Sequence, residues 1–180
     1  MNPYDYTRRK GVRPLTWDDF AALAATLAEQ VSAWNPQAIV GIARAGLFPA
    51  TAVACFLRRE LFPARITRRV NDIVIYQSPM WKVPISPEVK GKVVAVVDEL
   101  ADTGQTLALV AEEARRLGAT RVITASLVSH TWAHPAPQVC ALITDAFVVF
   151  PWDRQVYVDG AWQPHPEVET GMKGNIPGGG

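Results

Sequence analysis

Short apolar runs alternate with stretches of helical hydrophobic period along this chain. Residues 38–42 and 93–97 are continuous apolar runs rich in β-branched residues, which is typical of strands buried on both faces of a parallel sheet. Residues 48–60 carry a helical pattern, and residues 64–67 carry another strand pattern. This alternation predicts βαβ units with right-handed crossovers, and therefore an α/β fold with a mainly parallel twisted sheet flanked by helices.

Two further helices are marked by their ends. Thr16 and Asp19 form a capping box for the first. The second begins near Leu107 and is closed by Gly118. We expect the tryptophans of the first helix to pack in the core, because they belong to its apolar face, which consists of Trp17, Phe20, Leu23, Leu27, Val31 and Trp34.

Residues 70–91 interrupt the alternation of strands and helices. Ile73, Ile75 and Tyr76 indicate a strand within this segment. Residues 77–88 contain three prolines and predict a long mobile loop of the kind that often forms a lid over an active site.

Length and composition agree with one globular domain. The chain has 180 residues, 49% of them hydrophobic, and a formal net charge of +1, so we expect no basic surface that binds nucleic acid. We expect residues 1–166 to fold as one domain and residues 167–180 to form a disordered tail. Cys55 and Cys140 lack metal-ligand spacing and no apolar run approaches ~20 residues, which favours the reducing cytoplasm without membrane association.

The most informative segment is 93–107, where polar chemistry follows a buried strand. Asp98 and Glu99 come at the carboxyl end of the strand, the edge at which open α/β sheets bind ligands. Ionised carboxylates accept hydrogen bonds from vicinal hydroxyls and are hard ligands for a divalent cation. The loop at 102–106 opens a helix whose backbone N–H groups and dipole favour an anion. A diol or metal site beside a phosphate site indicates a sugar phosphate.

This segment resembles the signature of the type I phosphoribosyltransferases, in which four apolar residues, two acidic residues and a Thr-Gly-x-Thr loop follow in order. In that family the acidic pair contacts the ribose hydroxyls and the metal, and the loop binds the 5′-phosphate of phosphoribosyl pyrophosphate (PRPP). The resemblance implies Mg²⁺ as cofactor with Glu99 and Asp98 as its protein ligands, and a homodimer or tetramer. It also implies a phosphate loop made of Asp102, Thr103, Gly104, Gln105 and Thr106.

Two other interpretations of the acidic segment remain. A strand-to-helix turn capped by Asp and Thr would explain any three of its polar residues. The triplet at 102–104, Asp-Thr-Gly, also spells the active-site motif of aspartic proteases, in which two carboxylates share a proton. Only one such triplet is present, and a helical pattern follows it at once.

A second loop follows the apolar run at 38–42. Ala43, Arg44, Ala45 and Gly46 combine small residues, which let backbone approach a ligand, with a guanidinium suited to phosphate oxygens. The loop is similar to the pyrophosphate loop of the same family, which often reads Ser-Arg-Gly-Gly, so a serine hydroxyl is missing here. A plain strand-to-helix turn is the alternative.

Residues 145–153 resemble the base-binding segment of bacterial xanthine-guanine phosphoribosyltransferases, in which an aromatic ring stacks on the purine and the next backbone group reads its edge. The resemblance implies Phe147 for stacking, Val148 for reading and Asp153 in the supporting Pro-Trp-Asp turn. Trp is common where Phe147 stands. The alternative is that Phe147 is a core residue of a buried strand.

The position after the apolar strand at 125–128 departs from that family. Enzymes for 6-oxopurines typically present a lysine there to the purine O6, whereas this chain has Ser129 and His130. His130 would donate from a ring nitrogen, but it is shorter and titrates near neutrality. We expect residues 129–166, with part of 1–15, to form a small hood that binds the base.

The function implied is transfer of the phosphoribosyl group from PRPP to N9 of xanthine, guanine or hypoxanthine, with Asp102 as general acid/base at N7. Two alternatives remain. One is a phosphoribosyltransferase for adenine or a pyrimidine, which the altered lysine position leaves open. The other is a non-enzymatic nucleotide sensor that binds RNA, which would need a clustered basic surface.

Overall fold

The structure, a computed structural model, describes residues 8–67, 69–70, 73–75, 79–166 and 168. Short 3-10 turns occur at Pro87–Val89 and Pro151–Asp153. The helices are α1 (Trp17–Ser32), α2 (Leu47–Leu57) and α3 (Gln105–Arg116). The strands are β1 (Val12–Pro14), β2 (Ala38–Ile42), β3 (Glu60–Thr67), β4 (Arg69–Val70), β5 (Ile73–Val74), β6 (Met80–Val83), β7 (Val93–Ala101), β8 (Arg121–Ser129), β9 (Val139–Ile143), β10 (Phe147–Val149), β11 (Gln155–Val158) and β12 (Ala161–Pro164).

The central sheet has the strand order β6-β3-β2-β7-β8-β9. Neighbouring strands from β3 to β9 run parallel, and β6 pairs antiparallel with β3 at one edge. The predicted mainly parallel sheet flanked by helices is therefore confirmed. The chain moves outward through α2 from β2 to β3, then returns to the other side of β2 and moves through α3 from β7 to β8. This reversal creates a topological switch point between β2 and β7.

Helices α2 and α3 cover opposite faces of the central sheet. One buried cluster joins Val40 and Val96 of the sheet to Val110 of α3. Gly41 points the other way, since successive strand residues alternate between faces. A Cβ at Gly41 would lie 2.7 Å from the Cβ of Ala50 in α2, so the absence of a side chain lets that helix approach the strand closely.

The second helix ends earlier than its hydrophobic pattern predicts. Arg58 takes a left-handed conformation, with φ of 52°, and closes α2 after Leu57. The next strand already begins at Glu60, whose register partner in β2 is Ala38. The predicted helix end at Glu60 and strand start at Ala64 are therefore wrong, because pairing with β2 overrides the local helical period.

Residues 77–88 do not form one continuous loop. Met80–Val83 is an edge strand that pairs with β3, with Thr67 opposite Met80, so the loop prediction is wrong for these four residues. Ile73 lies in β5 as predicted, and Ile75 lies just beyond that strand. Tyr76 lies outside the described residues. Periodicity misses this short strand because its ladder partner is distant in sequence and its side chains are largely exposed. The mobility of the segment stays a prediction.

The chain divides into two compact units, the larger being Leu23–Thr144 and the smaller Met1–Ala22 with Asp145–Gly180. The larger contains the central sheet, α2 and α3. The smaller contains β1 paired parallel with β10, and the hairpin of β11 and β12. Within the part of the chain that the structure describes, no helix is long and apolar enough to cross a membrane.

The start of α1, in the smaller unit, has the predicted capping box. Thr16 Oγ1 accepts from the Asp19 backbone N–H at 3.1 Å, and Asp19 Oδ2 accepts from the Thr16 backbone N–H at 2.8 Å. Trp17 is 54% exposed, so its predicted core position is wrong. Its ring instead contacts Trp152, with centroids 6.0 Å apart.

Candidate active site

Neighbouring parallel strands of the larger unit end at one edge of the sheet. β2 ends at Ile42, β7 at Ala101 and β8 at Ser129, and β7 lies between the other two. The loops that follow therefore lie side by side, next to the switch point between β2 and β7. This geometry brings together the acidic pair, the phosphate loop, the pyrophosphate loop and His130.

The acidic pair lies inside β7 rather than beyond it, since the strand continues to Ala101. Asp98 is 8% exposed, and its Oδ1 accepts a hydrogen bond from the Glu99 backbone N–H at 3.0 Å. Burial disfavours the charged carboxylate and Glu99 adds a like charge, so the pKa of Asp98 lies well above its usual value. A cation beside the pair would relieve both effects.

The donor set of this pair fits a hydrated magnesium ion. Mg²⁺ keeps several waters and usually binds through one or two carboxylates plus substrate phosphates. Asp98 and Glu99 supply two carboxylates. Among the described residues, no three His, Cys, Asp or Glu side chains group so as to hold a metal ion, so substrate and water would complete the coordination shell.

The loop after β2 packs directly on Asp98. Gly46 is buried, and a Cβ at this position would lie 2.5 Å from Asp98 Oδ1. Only glycine permits this approach. Ala43 and Ala45 are half-buried, Arg44 is exposed, and the peptide between Ala43 and Arg44 is cis. The contact of Gly46 with Asp98 joins the predicted pyrophosphate loop to the acidic pair.

The phosphate loop connects β7 to the start of α3. Gly104 has φ of 79°, a left-handed conformation that favours glycine, and a Cβ there would overlap the Pro135 carbonyl group. Thr103 Oγ1 accepts a hydrogen bond from the Gln105 backbone N–H at 3.4 Å. Thr103, Gln105 and Thr106 are exposed at the helix N-terminus, where backbone N–H groups and the helix dipole favour an anion.

His130 lies directly beyond β8 and is 2% exposed. Its Nδ1 lies 2.6 Å from the Thr144 carbonyl oxygen, so Nδ1 carries a proton and donates it. The ring stacks on Trp132 with centroids 4.3 Å apart, and Nε2 lies 3.9 Å from Asp102 Oδ1. The structure therefore gives His130 neighbours within its own unit, and its contact with a purine stays a prediction.

Trp132 is a residue of this site that sequence reasoning missed. Its indole Nε1–H donates to Asp102 Oδ1 at 3.1 Å, and the Asp102 side chain is 28% exposed. The sequence offers one signal, an aromatic residue two positions after His130 and just beyond a predicted strand. That signal is weak, because the contact spans 30 residues of chain.

The remaining predicted base-binding residues lie in the smaller unit. Phe147 and Val148 are in β10 and are 7% and 9% exposed. The Arg9 guanidinium carbon lies 5.2 Å from the centre of the Phe147 ring, so Phe147 is a buried strand residue here, as the alternative interpretation has it. Asp153 is half-buried in a 3-10 turn, and its backbone N–H donates to the Phe150 carbonyl oxygen at 3.0 Å. Stacking of Phe147 on a purine stays a prediction.

Comparison with known proteins connects this geometry to one family. Residues 14–158 match the family model described as a phosphoribosyl transferase domain. A xanthine-guanine phosphoribosyltransferase of Nitratidesulfovibrio vulgaris is 30% identical over 163 residues, which covers 83% of this chain and 89% of that protein.

Solved structures agree with that match. A purine phosphoribosyltransferase from Pyrococcus horikoshii Ot3 has a TM-score of 0.73 at 30% identity, covering 82% of this chain and 97% of that one. The xanthine-guanine-hypoxanthine phosphoribosyltransferase of Helicobacter pylori has a TM-score of 0.61 at 16% identity, covering 88% and 97%. At that identity the second similarity concerns the fold alone.

Proposed function

Because this chain belongs to the phosphoribosyltransferase family, we propose that it transfers the 5-phosphoribosyl group from PRPP to N9 of a 6-oxopurine and releases pyrophosphate. The observation that carries the proposal is the packing of Gly46 on Asp98. Through that contact the predicted pyrophosphate loop lies against the acidic pair. The exposed phosphate loop directly follows the strand that carries this pair. Relatives named as xanthine-guanine and purine phosphoribosyltransferases support a purine acceptor.

PRPP offers three groups to two loops and one strand of the larger unit. We assign the 5′-phosphate to residues 102–106, whose exposed hydroxyls and helix N-terminus suit an anion. The ribose hydroxyls would donate to Asp98 and Glu99. The pyrophosphate would contact the backbone of residues 43–46 and the exposed guanidinium of Arg44.

Glu99 and Asp98 would also hold the metal ion that the family uses. When bound, Mg²⁺ would neutralise the charge of the pyrophosphate leaving group and orient it. Without the ion, the negative charge of the acidic pair would repel an incoming pyrophosphate. The same like-charge repulsion, from Glu99, contributes to the raised pKa of Asp98.

Asp102 would serve as the general acid/base of the transfer. As N9 attacks the anomeric carbon, the ribose gains oxocarbenium character, and a nearby carboxylate stabilises that positive charge. The Asp102 side chain is partly exposed, so it can exchange a proton with N7 of the bound purine. The indole of Trp132 donates to Oδ1, and we assign the proton exchange to Oδ2.

The base would be bound by residues of the hood predicted at 129–166 and in part of 1–15. Phe147 would stack on the purine, Val148 would read its edge through backbone groups, and Asp153 would support the turn that follows. Stacking contributes roughly 1–3 kcal/mol and tolerates any base. His130 stands where a lysine would contact O6, and we retain its hydrogen bond to the base as part of the proposal. Because the Nδ1–H already donates to the Thr144 carbonyl oxygen, donation to O6 would require Nε2 of a protonated ring.

We further propose that the enzyme works in the cytoplasm as a homodimer or tetramer, without nucleic-acid or membrane partners. Cys55 and Cys140 are not joined in a disulfide, which agrees with a reducing compartment, and oligomers are usual in this family. Sedimentation of the purified protein would test the assembly, and a monomer at micromolar concentration would contradict it.

The activity is tested by measuring pyrophosphate release from PRPP and Mg²⁺ with guanine, xanthine, hypoxanthine, adenine, uracil and orotate supplied separately. We expect release that depends on an oxopurine. Release with adenine or a pyrimidine alone would refute the purine assignment. Binding of PRPP without release for any base would move the protein to the class of nucleotide sensors.

The role of Asp102 is tested by Asp102→Asn. Turnover should fall about 100-fold or more, as expected for loss of a general acid/base, while the Kd for PRPP changes less than about threefold. The matched control is Glu112→Gln on the exposed face of α3, which should keep the wild-type turnover. Equal losses of turnover and PRPP affinity in Asp102→Asn would refute the assigned role.

A further inference from the structure

The segment 131–136, between β8 and β9, contacts the phosphate loop at three consecutive positions. Trp132 Nε1–H donates to Asp102 Oδ1, and the His134 backbone N–H donates to the Thr103 carbonyl oxygen at 2.9 Å. The Pro135 carbonyl group lies against Gly104, where it leaves no space for a side chain. The predicted phosphate loop is thus supported by contacts from a second loop.

We propose that Trp132 is a positioning residue that orients the Asp102 carboxylate for proton exchange with the purine. The inference deepens the proposed function and rests on it, because the role of Asp102 is part of that function. The 3.1 Å bond fixes Oδ1. A carboxylate held at one oxygen cannot rotate freely about its Cβ–Cγ bond, so Oδ2 keeps one direction.

His130 holds the indole in turn. The two rings stack at 4.3 Å with an interplanar angle of 22°. His130 is itself fixed, because it is 2% exposed and its Nδ1 bonds to the Thr144 carbonyl oxygen. The direction of the indole N–H is therefore set by a buried neighbour rather than by solvent.

Backbone hydrogen bonds also hold the main chain on both sides of Asp102. The His130 backbone N–H donates to the Ala101 carbonyl oxygen at 3.2 Å, and the bond from His134 to Thr103 follows on the other side of Asp102. The main chain before and after Asp102 is thus tied to the same segment that carries the indole. Pre-organisation of this kind places a reacting group before the substrate arrives.

The test compares Trp132→Phe with wild type in the complete chain, with steady-state kinetics for PRPP and an oxopurine. Phenylalanine keeps an aromatic ring beside His130 and removes the N–H donor. We expect kcat to fall about 10-fold, since one charge-assisted hydrogen bond is lost, while the KM for PRPP stays within about twofold. A merely structural role would lower the thermal stability and raise this KM as well.

Two further variants keep the test decisive. The matched control is Trp34→Phe. Trp34 is a half-buried tryptophan of the same unit and is remote in sequence from the site. The Arg121 guanidinium carbon lies 4.4 Å from the centre of its ring. It should keep the wild-type kcat. If Trp132→Phe does not fold, β-(3-benzothienyl)alanine at position 132 replaces the indole with a nearly isosteric ring that lacks the N–H, and the same fall in kcat is expected.

A double-mutant cycle with Asp102→Asn shows whether Trp132 acts through the carboxylate. In the Asp102→Asn background, Trp132→Phe should change kcat less than about twofold, because effects of residues that act as a unit are not additive. An equal fall in both backgrounds, or a wild-type kcat for Trp132→Phe, would overturn the inference and leave the proposed function intact. An inactive wild type with every base would refute the proposed function, and the inference with it.

Discussion

Asp98 is the residue at which substrate binding and stability oppose each other. Its carboxylate is buried, touches the loop at Gly46 and stands next to Glu99. A carboxyl group in such surroundings is costly to ionise. The ionised form of Asp98 is thus unfavourable in the free protein and becomes favourable only when hydroxyls or a cation share the site. Binding sites often lower the stability of the free protein in this way.

Replacement by asparagine separates the two effects. The folded-state pKa of Asp98 is raised, so this carboxyl destabilises the fold at pH values above its unfolded-state pKa. The penalty declines as pH falls through the folded-state pKa and vanishes below the unfolded-state pKa. In EDTA at pH 7.5, Asp98→Asn should therefore raise Tm by about 3 °C. In an assay that contains Mg²⁺, its KM for PRPP should rise about tenfold or more.

The control for this variant is Glu29→Gln, which neutralises an exposed carboxylate of α1. It should leave both Tm and the KM for PRPP unchanged within error. A fall in Tm for Asp98→Asn at neutral pH would contradict the argument, because it would mean that the ionised carboxylate stabilises the ligand-free fold.

Single residues also show how far sequence reasoning reaches into the site. Asp98, Glu99 and the loop that follows them were recognisable because strand, acidic pair and helix start are contiguous in sequence. Trp132 was not, since its partner is 30 residues away and meets it only once β7 and β8 are paired.

At the scale of elements, α1 shows a local signal that the fold keeps. The capping box predicted from Thr16 and Asp19 is confirmed. The pKa of Asp19 is lowered, chiefly by the backbone N–H of Thr16. A carboxyl with a lowered folded-state pKa stabilises the protein above its unfolded-state pKa, and this stabilisation is lost as pH falls through the folded-state pKa.

Removal of the capping hydroxyl should weaken α1. Thr16→Ala should lower the free energy of unfolding by about 1 kcal/mol at pH 7, the usual cost of losing an N-cap side chain, as measured by urea denaturation. Thr16→Ser, which keeps the hydroxyl, should differ from wild type by less than half of that. Equal losses in both variants would show that the methyl group, not the hydrogen bonds, supports the helix.

Other elements were predicted only in part, for one physical reason. The helical pattern at 48–60 is ended at Leu57 by the left-handed Arg58 and by pairing of Glu60 with β2. Met80–Val83 forms a strand because β3 supplies its ladder partners. Hydrophobic period reports which face of an element is buried, and it carries no information on backbone partners elsewhere in the chain.

At the scale of the larger unit, parallel pairing collects loops that are far apart in sequence. β2, β7 and β8 are neighbours, so residues 43–46, 98–106 and 130–135 meet at one sheet edge. The family resemblance read from the motifs is confirmed by the match over residues 14–158. A ligand that touches several of these loops should stabilise the folded protein as a whole.

PRPP with Mg²⁺ should therefore raise thermal stability. At a free concentration of about 100 times Kd, the expected gain is ~2.7 kcal/mol, which scanning calorimetry would detect as a higher Tm. PRPP in EDTA should give less than half of this shift in Tm, because pyrophosphate then faces an uncompensated acidic pair. An equal shift in EDTA would contradict the assignment of Asp98 and Glu99 as metal ligands, and ribose 5-phosphate serves as the control that lacks the pyrophosphate.

The local sequence was enough to establish the α/β class, the strand that carries the acidic pair, the loop at 102–106 and the family to which they belong. These features depend on neighbours within about a dozen residues, where period, capping and motif spacing act. Tertiary structure was needed to bring Gly46 onto Asp98, to extend β7 through the acidic pair and to place the Trp132 indole on Asp102. Each of these depends on which strands pair and in which register, and strand pairing joins segments whose separation in sequence leaves no local trace.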